Sequence, residues 1–406
     1  MNFVQTLRKR SELQPGVPAL IDRCLSGDRV LTYSGLNRLV DYLSFELREK
    51  KIASGDRILF GVGPSQEMYV YLLAALQIGA VPILCDHATP HDEFISWVSA
   101  LTAKACIIPT RGWVGSHFDG VLRKIPCKIF VGHVRSQARW LRLGKLGALE
   151  EQPPDSAALI SLVRETSNHL AFRVWSQDQL RQSVQLLVSQ LKLKAGEIDL
   201  CASALHLLGN LAAGLTSVIG SRSERSLARQ VDKFKPTRTA AVSPVVRKLL
   251  RKPFSPFHRV FITDAPLEPE EIDYFTGRMQ HANIELTFYE DLPLASLPLK
   301  AYERKGSATL VGNFYSTVEA RISGRDETGK SPDGNHDLQF ISKPKPDESG
   351  ELFIRGSFLP NRLTLGALLK EGSLPKTAST VDWHSTGVLG YLDDQSRFWL
   401  TERIAR

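Results

Sequence analysis

GDRILFGVGPSQEMYVYLLAALQIGAVPILCD, residues 55–86, decides the architecture. The turn Ser54-Gly55-Asp56 leads into the apolar run RILFGV, which reads as a strand. A helical stretch, EMYVYLLAALQIG, follows and is closed by Gly79, and VPILCD then reads as a short buried strand. Strand, helix and strand with short links require a right-handed crossover and a parallel sheet covered by helices.

The same grammar extends outward. In LTYSGLNRLVDYLSFELREKK, Leu36, Leu39, Val40, Leu43 and Leu47 share one helical face, and Ser34 is the expected N-cap. Thr89-Pro90-His91-Asp92 has the order of a helix start, feeding the strand KACIIP. Between 156 and 290, ALISLV reads as strand, QDQLRQSVQLLVSQL as helix and DLCASAL as strand, with an apolar helix from Leu207. From about 306, short strands such as VEARISG and ELFIRG alternate with polar turns, and TGVLGYLDDQSRFWLTERIAR reads as a hairpin. The expected fold is therefore α/β: two helix-covered, largely parallel sheets packed together, plus a small antiparallel β-subdomain. The expected segments are 1–155, 156–300 and 301–400, with 401–406 as the start of a hinge.

Composition narrows the class. The 406 residues are 43% hydrophobic and 23% charged, which suits a large buried core. MNFVQTLRKRSELQPG has no apolar stretch before its first charges, and no run approaches the ~18 apolar residues that span a bilayer. No leader or transmembrane segment is expected, and the cytoplasm is the expected compartment. Cys24, Cys85, Cys106, Cys127 and Cys201 stand singly, without a CxxC pair, as expected of buried thiols in a reducing compartment.

The net charge of +8 is uneven, with seven basic side chains and no acid from Arg123 to Lys145. That face, with Arg135, Arg139 and Arg142, suits plain solvation, anionic lipid or an acidic partner protein, whereas no RNA-binding or zinc-finger signature points to nucleic acid. His87 and His91 have metal-ligand spacing, but Pro90 lies between them, so they do not share a helical face. GxSxG, HExxH, GxGxxG and GxxxxGK[ST] are all absent.

The order of blocks carries more. LTYSGL, the 55–86 stretch, GELFIRG at 350–356, STGVLGYLDD at 385–394 and Glu402-Arg403 together resemble the adenylate-forming superfamily of acyl-CoA synthetases, luciferases and adenylation domains. LLGNLAAGLTSVIG with DKFKPTRTAAVSPVVRKLL is most similar to the fatty-acyl and β-lactone-forming branch. The resemblance runs from about Pro18 to Arg403 and implies the fold of the family's large N-terminal domain. It also implies a first step joining a carboxylate to ATP, with Mg²⁺.

Matched residue by residue, the resemblance brings few of the required groups. The family's phosphate loop, roughly TSGTTGxPKG, falls on RETSNHLAFRVW, residues 164–175. Thr166 and Ser167 keep hydroxyls, but the loop glycines fall on Glu165 and Asn168 and the lysine on Ala171, with Arg173 two residues further. Side chains there restrict the turns that aim N–H groups at an anion. The YGxTE block falls on Tyr289-Glu290-Asp291-Leu292-Pro293: Tyr289 keeps the adenine-facing ring, Leu292 replaces the threonine and Pro293 the metal carboxylate. TGD becomes Thr386-Gly387-Val388, which replaces the ribose-binding aspartate with an apolar side chain, and Arg403 matches the arginine before the hinge. The sequence stops at Arg406, so the family's small C-terminal domain and its lysine are expected to be missing.

The expected cofactor-binding positions are therefore Thr166, Ser167, Tyr289 and Arg403, with no catalytic or metal residue. By the same resemblance the acyl pocket is expected near Leu205, His206, Leu208 and Asn210. The expected function is a degenerate acyl-AMP ligase homologue that binds an acyl chain or an acyl-carrier or biosynthetic partner. The alternative is a divergent ligase completed by another chain, for which ATP and Mg²⁺ would be the cofactors. Gly350 reads as a turn glycine.

Overall fold

The computed structural model describes residues 3–24, 27–85, 101–109, 124–131, 149–166, 169–201, 203–221, 223–250, 256–264, 267–278, 282–290, 292–323, 349–363 and 383–403. His87, His91, the helix start at Thr89 and most of the 123–145 basic stretch lie outside these residues.

The 55–86 stretch folds as read: β3 (Arg57–Phe60), α3 (Gln66–Gln77) and β4 (Val81–Cys85), with the two strands parallel. Every residue of α3 except Glu67 is buried, as expected of a helix that is apolar nearly all round. Its Ser65 N-cap accepts from the Met68 N–H at 3.2 Å. Around this unit a sheet of seven strands assembles in the order β19-β8-β7-β4-β3-β5-β6. The added strands are β5 (Ala105–Pro109), β6 (Cys127–Val131), β7 (Ala157–Thr166), β8 (His169–Ser176) and β19 (Asn361–Leu363).

The second sheet has eight strands in the order β14-β13-β12-β11-β9-β10-β1-β2. These are β1 (Pro18–Cys24), β2 (Gly27–Thr32), β9 (Ile198–Cys201), β10 (Thr216–Ile219), β11 (Arg238–Ala241), β12 (Arg259–Ile262), β13 (Asn283–Glu290) and β14 (Leu292–Pro298). Strands from both sides of residue 155 thus enter each large sheet: β7 and β8 join the first, and β1 and β2 complete the second. The third sheet is antiparallel, in the order β15-β16-β21-β20-β18-β17. It contains β15 (Arg304–Lys305), β16 (Ala308–Asn313), β17 (Glu319–Ser323), β18 (Gly350–Arg355), β20 (His384–Leu392) and β21 (Arg397–Arg403).

Helices bind the layers. α1 (Val4–Leu13), α2 (Tyr33–Glu49), α3, α4 (Gln177–Gln190) and α5 (Ala204–Ala213) contribute to one core with residues of both large sheets, including Leu20, Phe60, Ile107 and Ile219. Leu36, Leu39, Val40, Leu43 and Leu47 of α2 are all buried in it. The cap of α2 is Thr32, not Ser34: the helix begins at Tyr33, and the Thr32 hydroxyl accepts from the Gly35 N–H at 3.1 Å. α4 opens with a full capping box between Ser176 and Gln179. A second core joins the antiparallel sheet to the eight-stranded one through Phe261, Phe288, Leu294, Leu352, Val388 and Phe398.

Polar contacts pin the two large sheets together. Asp22 of β1 accepts from the Gln66 N–H at 2.9 Å, and Arg29 of β2 bridges Asp22 and Glu67 at the same end of α3. Gly350 opens β18 rather than a turn, and a Cβ there would collide with the Ser323 carbonyl across the ladder. Among the described residues no helix is long and apolar enough to cross a membrane.

Candidate functional site

The connections of the eight-stranded sheet diverge at one point. β9 leads through α5 to β10 on one side; the chain returns through α6 (Glu224–Phe234) to β11, which leads through α7 (Ser243–Leu249) to β12 on the other. The crevice beyond the carboxyl ends of such neighbouring strands is where open α/β sheets hold ligands. Here it is bordered by the start of α5, the end of β12 and the end of β13.

Two of the expected residues meet at that crevice. His206, in the first turn of α5, places Nε2 3.1 Å from the Tyr289 hydroxyl near the end of β13, and the rings stack edge to face at 5.9 Å. Burial lowers the His206 imidazole to about 4, and neighbouring Arg238 adds to that shift. Burial raises the Tyr289 hydroxyl well above its ordinary range. Both groups are therefore neutral at pH 7. Neither residue is sealed in a core, since both are partly buried.

Linkage gives this pair a pH signature. The unfolded chain protonates His206 near its ordinary value of about 6.5, whereas the folded chain resists until about 4. The unfolded state thus binds the extra proton first, and stability falls as pH drops from 6.5 towards 4. At pH 5 the contribution is a loss of about 2 kcal/mol. Urea melts at pH 7.5 and 5.0 are expected to show His206→Gln losing less stability than wild type by about that amount. Equal losses would mean that His206 titrates normally.

The other expected pocket residues divide. Leu205 is partly buried between the two cores. Leu208 is wholly inside the first core. Asn210 is 1% exposed, and its amide donates to Asp199 at 2.7 Å and to the Ser217 hydroxyl at 3.0 Å. Asn210 thus belongs to a buried network beneath the crevice. Arg238, 1% exposed, donates to the carbonyls of Leu191 at 2.7 Å and Lys192 at 3.3 Å and to Glu197 at 3.0 Å, and lies 3.5 Å from Asp199. Burial raises the Asp199 carboxyl despite Arg238 and Asn210.

The stretch matched to the phosphate loop is a β-hairpin. The β7–β8 ladder continues through Arg164↔Leu170 to Thr166↔His169, leaving only residues 167 and 168 between the strands. Ser167 and the Thr166 side chain lie outside the described residues. Arg173 is a buried strand residue paired with Ser161 on one side and Arg362 on the other. Leu292 and Pro293 follow the β13–β14 turn and are buried. Val388 is 1% exposed within the second core, and the preceding Thr386 hydroxyl donates to the Leu352 carbonyl at 2.8 Å. Arg403 ends β21 opposite Val388, and its side chain lies outside the described residues.

Asp264 was not singled out by sequence reasoning. It follows β12 and forms an isolated bridge to Phe288, next to Tyr289. Its carboxylate caps α7 by accepting the Ser243 N–H at 2.7 Å and hydroxyl at 2.8 Å. Ser243 twenty-one residues earlier and the proline after it at N2 were the available signal, but their partner is set by parallel strand pairing. Among the described residues no cluster of three or more His, Cys, Asp or Glu could hold a metal ion.

Comparison with known proteins agrees with this geometry. The family model for AMP-binding enzymes matches residues 7–176. An olefin beta-lactone synthetase of Stenotrophomonas maltophilia (strain K279a) is 24% identical over 420 residues, covering 93% of this chain and 73% of that protein. In fold, the chain is similar to a fatty acyl CoA synthetase of Mycobacterium tuberculosis, with TM-score 0.77, 16% identity and coverage of 99% and 78%. A long-chain-fatty-acid-CoA ligase of Archaeoglobus fulgidus gives TM-score 0.78, 15% identity and coverage of 100% and 84%. The sheets and crevice are those of the large N-terminal domain of adenylate-forming enzymes. Residues 7–176 match the AMP-binding enzyme family, and over nearly its whole length the chain is similar to adenylate-forming enzymes in fold.

Proposed function

We propose that this chain binds an acyl-type ligand at the His206–Tyr289 crevice but does not form acyl-AMP on its own. It then acts as a binding or partner subunit in acyl or fatty-acid-like metabolism, in the cytoplasm, alongside an acyl-carrier or biosynthetic partner protein. The observation that carries this reading is the β7–β8 hairpin. Cradling a triphosphate requires a loop of convergent N–H groups, and the ladder, through Arg164↔Leu170 and Thr166↔His169, takes the flanks of this segment into strand pairing and leaves only two residues between the strands.

Two further features support it. Val388, at the ribose position, is packed in an apolar core. Leu292 and Pro293, at the positions for the threonine and metal carboxylate, are buried and offer no ligand to a cation. These residues do not fit ATP–Mg²⁺. Losing one preorganised charge-stabilising group costs roughly 10²–10³ in rate, and losses within one unit do not simply add.

The test is ATP–pyrophosphate exchange by the purified chain with a panel of fatty and aryl acids. No exchange above background is expected, and calorimetry with ATP–Mg²⁺ is expected to show no micromolar binding. Acyl-adenylate formed by the chain alone would end this reading. The alternative, a divergent ligase completed by a second chain, is favoured by the alignment to the lactone synthetase over 93% of this chain. It predicts exchange that appears only when products of adjacent reading frames are added.

A further inference from the structure

The ligand-facing groups at the crevice differ in kind from those a carboxylate would need. His206 and Tyr289 are locked to one another, Nε2 to hydroxyl, and both are partly accessible. Asp264, whose backbone is bridged to Phe288 beside Tyr289, has its carboxylate taken up by the Ser243 N–H and hydroxyl. The cation that acts on His206 is Arg238, and it is unavailable: it lies 1% exposed and is held by two carbonyls and by Glu197 and Asp199. Leu205 provides an apolar flank.

We propose that the His206–Tyr289 pair selects ligands bearing an uncharged hydrogen-bonding head group, such as a hydroxyl or amide, over free carboxylates. This rests on the acyl-binding reading above and specifies the head group it takes. An ionised carboxylate entering the crevice sheds water, and among the described residues the cation that acts on His206 is already engaged by other partners. A hydroxyl or amide loses less on desolvation, and the imidazole–phenol pair offers one donor and one acceptor to it. Burial keeps the imidazole neutral, so it supplies no charge to offset an anion.

Calorimetry at pH 7.5 with decanoate, decan-1-ol and decanamide, below their aggregation limits, tests this. The two neutral compounds are expected to bind at least about tenfold more tightly than decanoate. His206→Phe and Tyr289→Phe are expected to shrink that preference, while His206→Gln, which keeps a neutral donor and acceptor, retains most of it. Thermal melts check that each variant is folded. Decanoate binding as tightly as decanamide overturns the inference while leaving an acyl-binding chain intact. A preference unchanged in both phenylalanine variants overturns the assignment to this pair. Failure of all three probes to bind removes the acyl-binding reading itself, and the head-group selection with it.

Discussion

Val388→Asp is expected to cost about 3–5 kcal/mol of stability and to confer no nucleotide binding. The substitution restores the side chain that the family places at this position, so a simple motif repair would predict a gain. The structure argues otherwise. Val388 lies in a core with Leu352, Ile354, Phe358 and Phe398, at 1% exposure. The Thr386 hydroxyl beside it is already engaged, donating to the Leu352 carbonyl and accepting from the Val388 N–H at 3.2 Å. A carboxylate there, among apolar side chains, must be desolvated or protonated. Val388→Thr, close in shape, separates the two effects and is expected to cost about 1–2 kcal/mol, chiefly for one buried hydroxyl. Urea denaturation measures both. A stable Val388→Asp chain that binds ATP would mean that position 388 opens onto the crevice.

Arg238→Ala is expected to be comparably damaging, at about 3–5 kcal/mol, because it strands charge instead of adding it. The guanidinium serves the carbonyls of Leu191 and Lys192, just past the end of α4, along with Glu197 and Asp199, and lies over Phe261 at 5.5 Å. Without it, Asp199 keeps the Asn210 amide but loses its counter-charge, and the Leu191 carbonyl loses its side-chain donor, while Arg259 still serves Lys192. Arg238→Met with Asp199→Asn removes both charges while holding volume and is expected to recover at least half of the loss. If Arg238→Ala costs less than about 1 kcal/mol, the network is not what fixes α4 above the sheet.

Much of the fold was legible because it is periodic. The 3.6-residue spacing in α2 and the apolar runs of β3 and β4 hardly depend on what they pack against. Sheet membership was not legible, because β1 finds its partner β10 only in three dimensions, and β8 takes β19 from the far end of the chain. The site was read in part. His206 and Tyr289 were both named and do meet, but nothing in the sequence says that they touch each other. Asn210 read as a pocket residue through the family resemblance, yet in the fold it meets Asp199, whose carboxylate claims its amide. Asp264 escaped notice for the reverse reason: its neighbours are ordinary, and its role comes from capping a helix that begins on the preceding strand's loop.

The placement of β1 has a consequence for biogenesis. Pro18 offers its carbonyl to the Thr216 hydroxyl at 2.6 Å, and Leu20 lies in register with Ser217, so a segment made near the start of translation waits for one made some two hundred residues later. Until then β1 has only β2 beside it in that sheet, and its other edge is open. The slow events in maturation are thus long-range closures across the whole polypeptide. Severing the amino-terminal thirty or so residues would leave the distal lobe with a raw, adhesive margin instead of a finished one.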